Sequence, residues 1–225
     1  MKRLAVLVLV LLFLTSVSLA GDPKPLTHSG AKALLFDLGG LANLAAGNYG
    51  GGLGAKYYLG SDLALRLSLG FNTSTETDKN VQTPLPANRV AESKLTNTGF
   101  TVAPAITYNV AKTSTVVAYV GALFSFTSLS EKREGNALGF GINYNSGESY
   151  RQSSTVFGFA TILGVEWFPW ENISFSGEYR LGYGHSAGET ESSTNATSVT
   201  TDGPTTSGFG VGSANSGALT LSVYF

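Results

Sequence analysis

Six charged residues fall on the same side of an alternating pattern in this chain: Asp37, Lys56, Arg66, Glu166, Glu178 and Arg180. Three are acids and three are bases. Ionic groups gathered on one face can pair with one another where water is scarce, since an unpaired buried charge is costly. They can also line a path for ions. A second constellation is His185-Ser186 with Glu189 and Glu191. These are the residue types of a nucleophile, a base and an orienting acid, but no spacing here enforces the hydrogen-bonded pair that such chemistry requires. His28 stands alone. With no Cys and two distant histidines the chain offers no transition-metal ligand set. Glu189, Glu191 and Asp202 read as solvated charges rather than calcium ligands. The expectation is no catalysis and no cofactor, with the six charges as a structural network.

Composition limits what can hold these residues. The chain has 225 residues, 43% hydrophobic and 13% charged, with 28 Gly and a net charge of −1. That apolar content excludes disorder as the main state. The charge balance excludes nucleic acid as a partner. Charged residues make up roughly a quarter of ordinary soluble domains, so this chain is poor in them. Its mean hydropathy of +0.12 is nevertheless far too low for a bundle of membrane helices. Apolar and polar residues must be finely interleaved.

The first twenty residues read as an address. Lys2 and Arg3 precede an apolar run over 4–14, and small residues lead to Ser18-Leu19-Ala20 before Gly21. This is the three-part pattern of a cleavable secretory signal. The run is shorter than the ~20 residues of a helical membrane anchor. The domain reading is a signal peptide over 1–20 and one further domain over 21–225, exported and independent of disulfides.

That domain alternates with period two. Over 63–72, Leu63, Leu65, Leu67, Leu69 and Phe71 take one parity and Ala64, Arg66, Ser68, Gly70 and Asn72 the other. Successive strand side chains point to opposite faces, so this is a strand with one greasy and one polar face. The same pattern predicts strands over 32–38, 53–59, 100–110, 116–127, 155–167, 173–183 and 219–225. Pro104 interrupts one of them and predicts a bulge or local irregularity. Short connections at 60–62, 111–115 and 169–172 alternate with long polar ones at 39–51, 73–97, 130–153 and 185–212. Antiparallel strands joined this way make an eight-stranded up-and-down barrel.

A soluble barrel would turn its greasy face inward and a transmembrane barrel outward. The outward solution fits the few, balanced charges on the polar parity. It also fits aromatics near both strand ends: Tyr57, Tyr108, Trp167 and Phe225 at one, and Phe71, Phe100, Phe124, Phe157 and Tyr183 toward the other. The chain closes on Leu219-Thr220-Leu221-Ser222-Val223-Tyr224-Phe225. This alternating stretch with a terminal Phe resembles the assembly signal of bacterial outer-membrane barrels. With the signal pattern and eight strands, 21–225 resembles the small OmpA/OmpX-type outer-membrane barrel families. Residues 163–167 and 177–183 also look like late strands of those families.

The resemblance implies an all-β, eight-stranded antiparallel transmembrane barrel in a bacterial outer membrane. Nothing follows the barrel, so the peptidoglycan-binding domain of full-length OmpA is expected to be absent. The implied partners are outer-membrane lipid and lipopolysaccharide, the barrel assembly machinery through Leu219, Leu221, Val223, Tyr224 and Phe225, and an extracellular ligand of unknown identity. A closed barrel needs no partner for its edges, so a monomer is expected. So narrow a lumen is filled by side chains, and the six charges are expected to plug it. The expected role is structural or surface interaction through long outer loops, including a hairpin within 140–150 that could pair edge-on with a partner or merely shield the barrel. The alternative is a narrow porin-like channel. A lipid-modifying enzyme is the third reading, although His185-Ser186 departs from the His-x-Ser spacing of outer-membrane deacylases.

Overall fold

The computed structural model describes residues 25–37, 48–80, 91–135, 149–193, 198–209 and 216–225. The expected signal peptide at 1–20, the last residue of the strand expected over 32–38, residues 39–47 of the first long connection and most of the expected hairpin, 140–148, lie outside the described residues. Ten strands are described: β1 (Lys32–Asp37), β2 (Asn48–Tyr58), β3 (Leu63–Asn80), β4 (Ala91–Lys112), β5 (Val116–Gly135), β6 (Ser149–Trp170), β7 (Ile173–Ser193), β8 (Ser198–Asp202), β9 (Thr206–Phe209) and β10 (Ser216–Tyr224).

Strands β1 to β7 pair in chain order, each antiparallel to the next. β10 then joins β7 to β1 and closes the ring of eight, with the seam running from Ala33↔Tyr224 to Asp37↔Thr220. Closure gives every strand of the wall two neighbours, as a lipid environment without hydrogen bonds demands. β8 and β9 pair in turn with the outer part of β7.

The greasy parity faces out. Leu67, Phe159, Leu163 and Leu181 are 45%, 59%, 53% and 52% exposed, while their neighbours Arg66, Ala160, Ile162 and Gly182 are buried. β5, apolar on both parities, settles the same way: Phe124 points out, and Val117, Tyr119 and Leu123 point in. The aromatics meet across strands near the outer rim, with Phe71–Phe100 and Phe126–Phe157 centroids at 5.2 Å and Tyr183–Phe209 at 5.9 Å. Trp167 stacks on Phe175 at 6.3 Å toward the other end.

One expectation, on the long connections, is corrected. Much of 73–97, 130–153 and 185–212 is strand, because β3 runs to Asn80, β5 to Gly135 and β7 to Ser193. Above the lipid both faces of a strand meet water and the apolar alternation fades. The Ser- and Thr-rich chain still favours the extended form, and the register set in the wall carries on upward. At Pro104, of the bulge or local irregularity expected, the irregularity is what occurs, with no register shift. The β4–β5 pairing passes from Val102↔Phe126 to Ala105↔Leu123, skipping Ala103 and Pro104, as expected where proline has no N–H to give. The shift in that pairing lies between Asn109 and Ala111, and another in β6 lies between Trp167 and Trp170.

Candidate functional site: the lumen and the raised sheet

The short connections 59–62, 113–115 and 171–172 share one end of the barrel, and residues 25–31 fold across it. Gly30 has a φ of 86°, which favours glycine. Its N–H donates to the Tyr58 carbonyl at 2.9 Å. Leu26 packs against a buried cluster of Ala31, Ala33, Tyr58, Ala64, Val117, Phe168 and Tyr224. This cluster floors the lumen. The floor is held from outside by Lys112, whose ammonium pairs with Asp62 at 2.7 Å and donates to Thr27 Oγ1 at 3.1 Å and to the Ser61 carbonyl. The hydrogen bond from Lys112, then that from Ser61, holds the Asp62 carboxyl below the usual aspartate range.

Two buried ionic layers lie above the floor. In the first, Lys56 Nζ donates to Glu166 Oε2 at 2.7 Å and to the Tyr224 hydroxyl at 3.1 Å. Glu166 Oε1 accepts from Ser174 at 2.5 Å and from Tyr224 at 2.7 Å. The Lys56 ammonium also faces the Tyr58, Tyr119 and Tyr224 rings, with centroids at 4.9, 5.7 and 5.7 Å. Tyr119 can lean this way because residue 164 is glycine: a Cβ there would lie 2.3 Å from the Tyr119 ring. In the second layer, Arg66 Nη2 donates to Glu178 Oε1 at 2.7 Å, with Arg180 Nη2 at 3.6 Å from the same oxygen. Such charges persist away from water only because each meets its opposite.

The strand register brings these groups together from distant parts of the chain. Lys56 and Arg66 are cross-strand partners on β2 and β3, while Glu166 and Glu178 come from β6 and β7. Of the six charges singled out by parity, Lys56, Arg66, Glu166, Glu178 and Arg180 join in ion pairs within 4 Å. Asp37 sits higher, the most exposed of the six. It lines a chamber of about 200 Å³ with Ser68, Thr101, Ser125, Arg180 and Thr220. Arg66 Nε, Arg180 Nε and Glu178 Oε2 are buried and have no hydrogen-bond partner among the described residues. A polar chamber of this size can offer them water.

The lumenal partners Tyr58, Tyr119, Ser174 and Tyr224 were not singled out from the sequence for this role. All four share the inward parity of the ions, and that was the available signal. In the closing strand the two faces divide: Leu219 and Phe225 point to lipid, 62% and 71% exposed, while Tyr224 is buried in the lumen. Leu221 and Val223 are half-buried between them. His185 and Ser186, expected in a loop, are instead consecutive residues of β7 and point to opposite faces. His185 is exposed outside and Ser186 Oγ lies 3.1 Å from Ser154 Oγ. Neighbours on opposite faces cannot form a nucleophile–base pair. His28 is exposed at the floor, with Nδ1 3.0 Å from the Ser29 carbonyl.

At the other end the wall rises as a sheet. β4, β5, β6 and β7 have 22, 20, 22 and 21 residues, about twice the ~9–11 that a tilted membrane strand needs. Glu131–Arg133 and Lys132–Glu134 pair at 2.5 Å on its surface. The β2–β3 pairing ends at Asn48↔Ser74, so among the described residues β3 beyond Ser74 pairs only with β4, and β8 only with β7. Among the described residues the raised part thus has two edges. The β3 edge carries Glu76 and Asp78, whereas β8 reads Ser-Val-Thr-Thr-Asp and is exposed throughout.

A family model described as the outer membrane protein beta-barrel domain matches residues 6–214. No curated protein and no solved structure matches the chain.

Proposed function

Because this chain belongs to the family of outer membrane protein β-barrel domains, we propose that it serves the bacterial outer membrane as a plugged structural barrel whose raised sheet contacts partners at the cell surface. The observation that carries this reading is the length of β4 to β7, about twice the need of a bilayer. Short turns face the periplasm and long connections the exterior in such barrels, so the sheet stands outside the cell. An extended segment of a partner can add to an unpaired strand edge by main-chain hydrogen bonds. The ion-pair layers and the floor beneath them support a plug rather than a pore.

The other contacts follow from the two faces of the wall. Lipid and lipopolysaccharide meet the outward Leu, Phe and Tyr side chains. Leu219 and Phe225 stand ready for the barrel assembly machinery. A ring closed on itself favours a monomer. No catalytic role is proposed. A narrow channel for ions or small solutes is the second reading, favoured by the polar chamber around Asp37 and Arg180 and opposed by the apolar floor.

The test is adhesion of cells displaying the protein. In one variant residues 75–96 are replaced by a short turn joining the paired ends of β3 and β4. A shift in gel mobility between unheated and boiled samples verifies that the variant barrel has formed. Loss of surface attachment is the expected result. Attachment equal to wild type from a formed barrel overturns the surface-contact role.

A further inference from the structure

We propose that the outer wall carries a binding groove for one acyl chain of a membrane phospholipid, seated over Pro104. A hollow of about 580 Å³ opens on the lipid-facing wall across β2 to β6. The inward charges do not reach it: Lys56 and Arg66 border it with backbone but bury their side chains in the lumen. The hollow arises from residue size. Here the outward parity carries Ala55, Pro104 and Ala122 among the larger Leu65, Leu67, Ile106, Phe124 and Phe159. Register gathers them on one patch of the wall, with Leu67 between Ala55 and Pro104 and with Ala122 opposite Ile106, two residues along β4 from Pro104. Tyr57, Phe124 and Phe159 stand around them, 43%, 47% and 59% exposed.

The chemistry of the occupant follows from the surroundings. The hollow lies within the apolar belt, continuous with the surface that lipid covers, and its side chains offer nothing ionic. Its volume is that of roughly twenty methylene- or water-sized groups, at ~30 Å³ each. Inside a membrane no hydrophobic force drives a chain onto the wall, because lipid tails are as apolar as the protein. Dispersion contacts then decide, and an unfilled hollow forfeits them. A chain in the groove touches protein on its floor and both rims, whereas a chain on the flat wall touches it on one side. The wall under the groove is fixed by pairing on the β3 side, Leu67↔Pro104, while the β5 side is skipped at Ala103 and Pro104. The groove begins at Tyr57, next to the short-turn end, so the lipid belongs to the periplasmic leaflet.

The test uses the whole barrel refolded into vesicles of phosphatidylethanolamine and phosphatidylglycerol, extracted into detergent and weighed intact by native mass spectrometry. One retained phospholipid per barrel is expected for wild type. Ala122→Trp fills the groove and should lower occupancy by about ten-fold. Ala55→Phe should do the same if the first variant fails to form a barrel. Tyr179→Trp, on the lipid-facing side of β7 and outside the groove lining, should keep the lipid. Equal retention in the filled and wild-type barrels means lipid held without the groove and overturns the proposal, as does no retained lipid. A wild-type dimer that Ala122→Trp dissolves makes a second copy the occupant and overturns it equally.

Discussion

The Tyr224 hydroxyl on β10 donates a 2.7 Å hydrogen bond to Glu166 Oε1 on β6, over the intervening β7. The same hydroxyl lies 3.1 Å from Lys56 Nζ. The strand that closes the ring is thereby fastened to the buried ion pair from inside, while its Leu219 and Phe225 face lipid. Tyr224→Phe keeps the ring and removes the fastening. The loss of a buried hydrogen bond to a charged group should cost about 1.5–3 kcal/mol. Urea unfolding of the vesicle-refolded barrel should show a lower midpoint with an unchanged slope. An unmoved midpoint would mean that the hydroxyl contributes nothing to closure.

The Lys56–Glu166 pair should behave as a unit. Glu166→Leu leaves Lys56 buried without its counter-ion and should cost about 3–5 kcal/mol. Lys56→Met added to it removes the orphaned charge and should recover much of the loss, since buried pairs are often replaceable by apolar residues. Additive single effects in this cycle would show that the two groups do not depend on each other. Arg66→Glu belongs to the same argument one layer higher. It sets a second carboxylate against Glu178 and should lower thermal stability sharply, and an unaltered unfolding temperature would remove the ionic layers from any structural role.

Parity made the ions legible. Leu63 to Phe71 alternate so regularly that Arg66 had to face inward once the Leu face was placed outward. The same rule applied to Glu166 and Glu178. Tyr224 belongs to a terminal pattern that is recognisable by its outward residues, and its inward role has no mark there. The raised sheet was hidden because Thr73, Thr75 and Thr77 have water on both faces, so no hydrophobic period marks them as strand. The lipid-facing groove was hidden for a different reason. Ala55, Pro104 and Ala122 lie far apart in sequence and come onto one patch of the wall only through register. Residues 25–31, which cross the floor, have no periodicity to read at all.

Gly164 supports the lower ionic layer by what it lacks. A Cβ at this position would lie 2.3 Å from the Tyr119 ring, which in turn faces Lys56. Gly164→Val should push the ring aside and cost about 1–3 kcal/mol, the usual range for overpacking. Adding Tyr119→Ala should relieve most of that strain. Unfolding midpoints for the two single variants and the double variant decide it: a penalty that persists in the double variant places its cause elsewhere.

The floor should loosen in acid. Lys112 and Ser61 hold the Asp62 carboxyl below its usual value of ~3.9. A depressed carboxylate contributes stability that is present above the unfolded value and lost as pH falls through the folded one. Amide exchange at residues 27–31 should therefore quicken below about pH 4, as Lys112 loses Asp62 and its hold on Thr27 weakens. Asp62→Asn should exchange quickly at neutral pH and lose this acid dependence. Identical profiles for the two proteins would detach the clamp from the floor.

Conductance separates the plug from the pore. An ion crossing the lumen must pass Arg66–Glu178, then Lys56–Glu166, then the floor of Tyr58, Phe168 and Tyr224. Opening one ion pair leaves the next in place, and opening both leaves the apolar floor. The refolded protein in a planar bilayer should therefore show no steady openings, and Glu178→Gln alone should not create them. The unheated-versus-boiled gel shift verifies that the silent protein is a formed barrel. Steady openings from wild type would make the chamber at Asp37 and Arg180 the vestibule of a channel and overturn the plugged reading. Openings that appear only when Phe168→Ala is added to Glu178→Gln would place the barrier in the floor as well as in the charges.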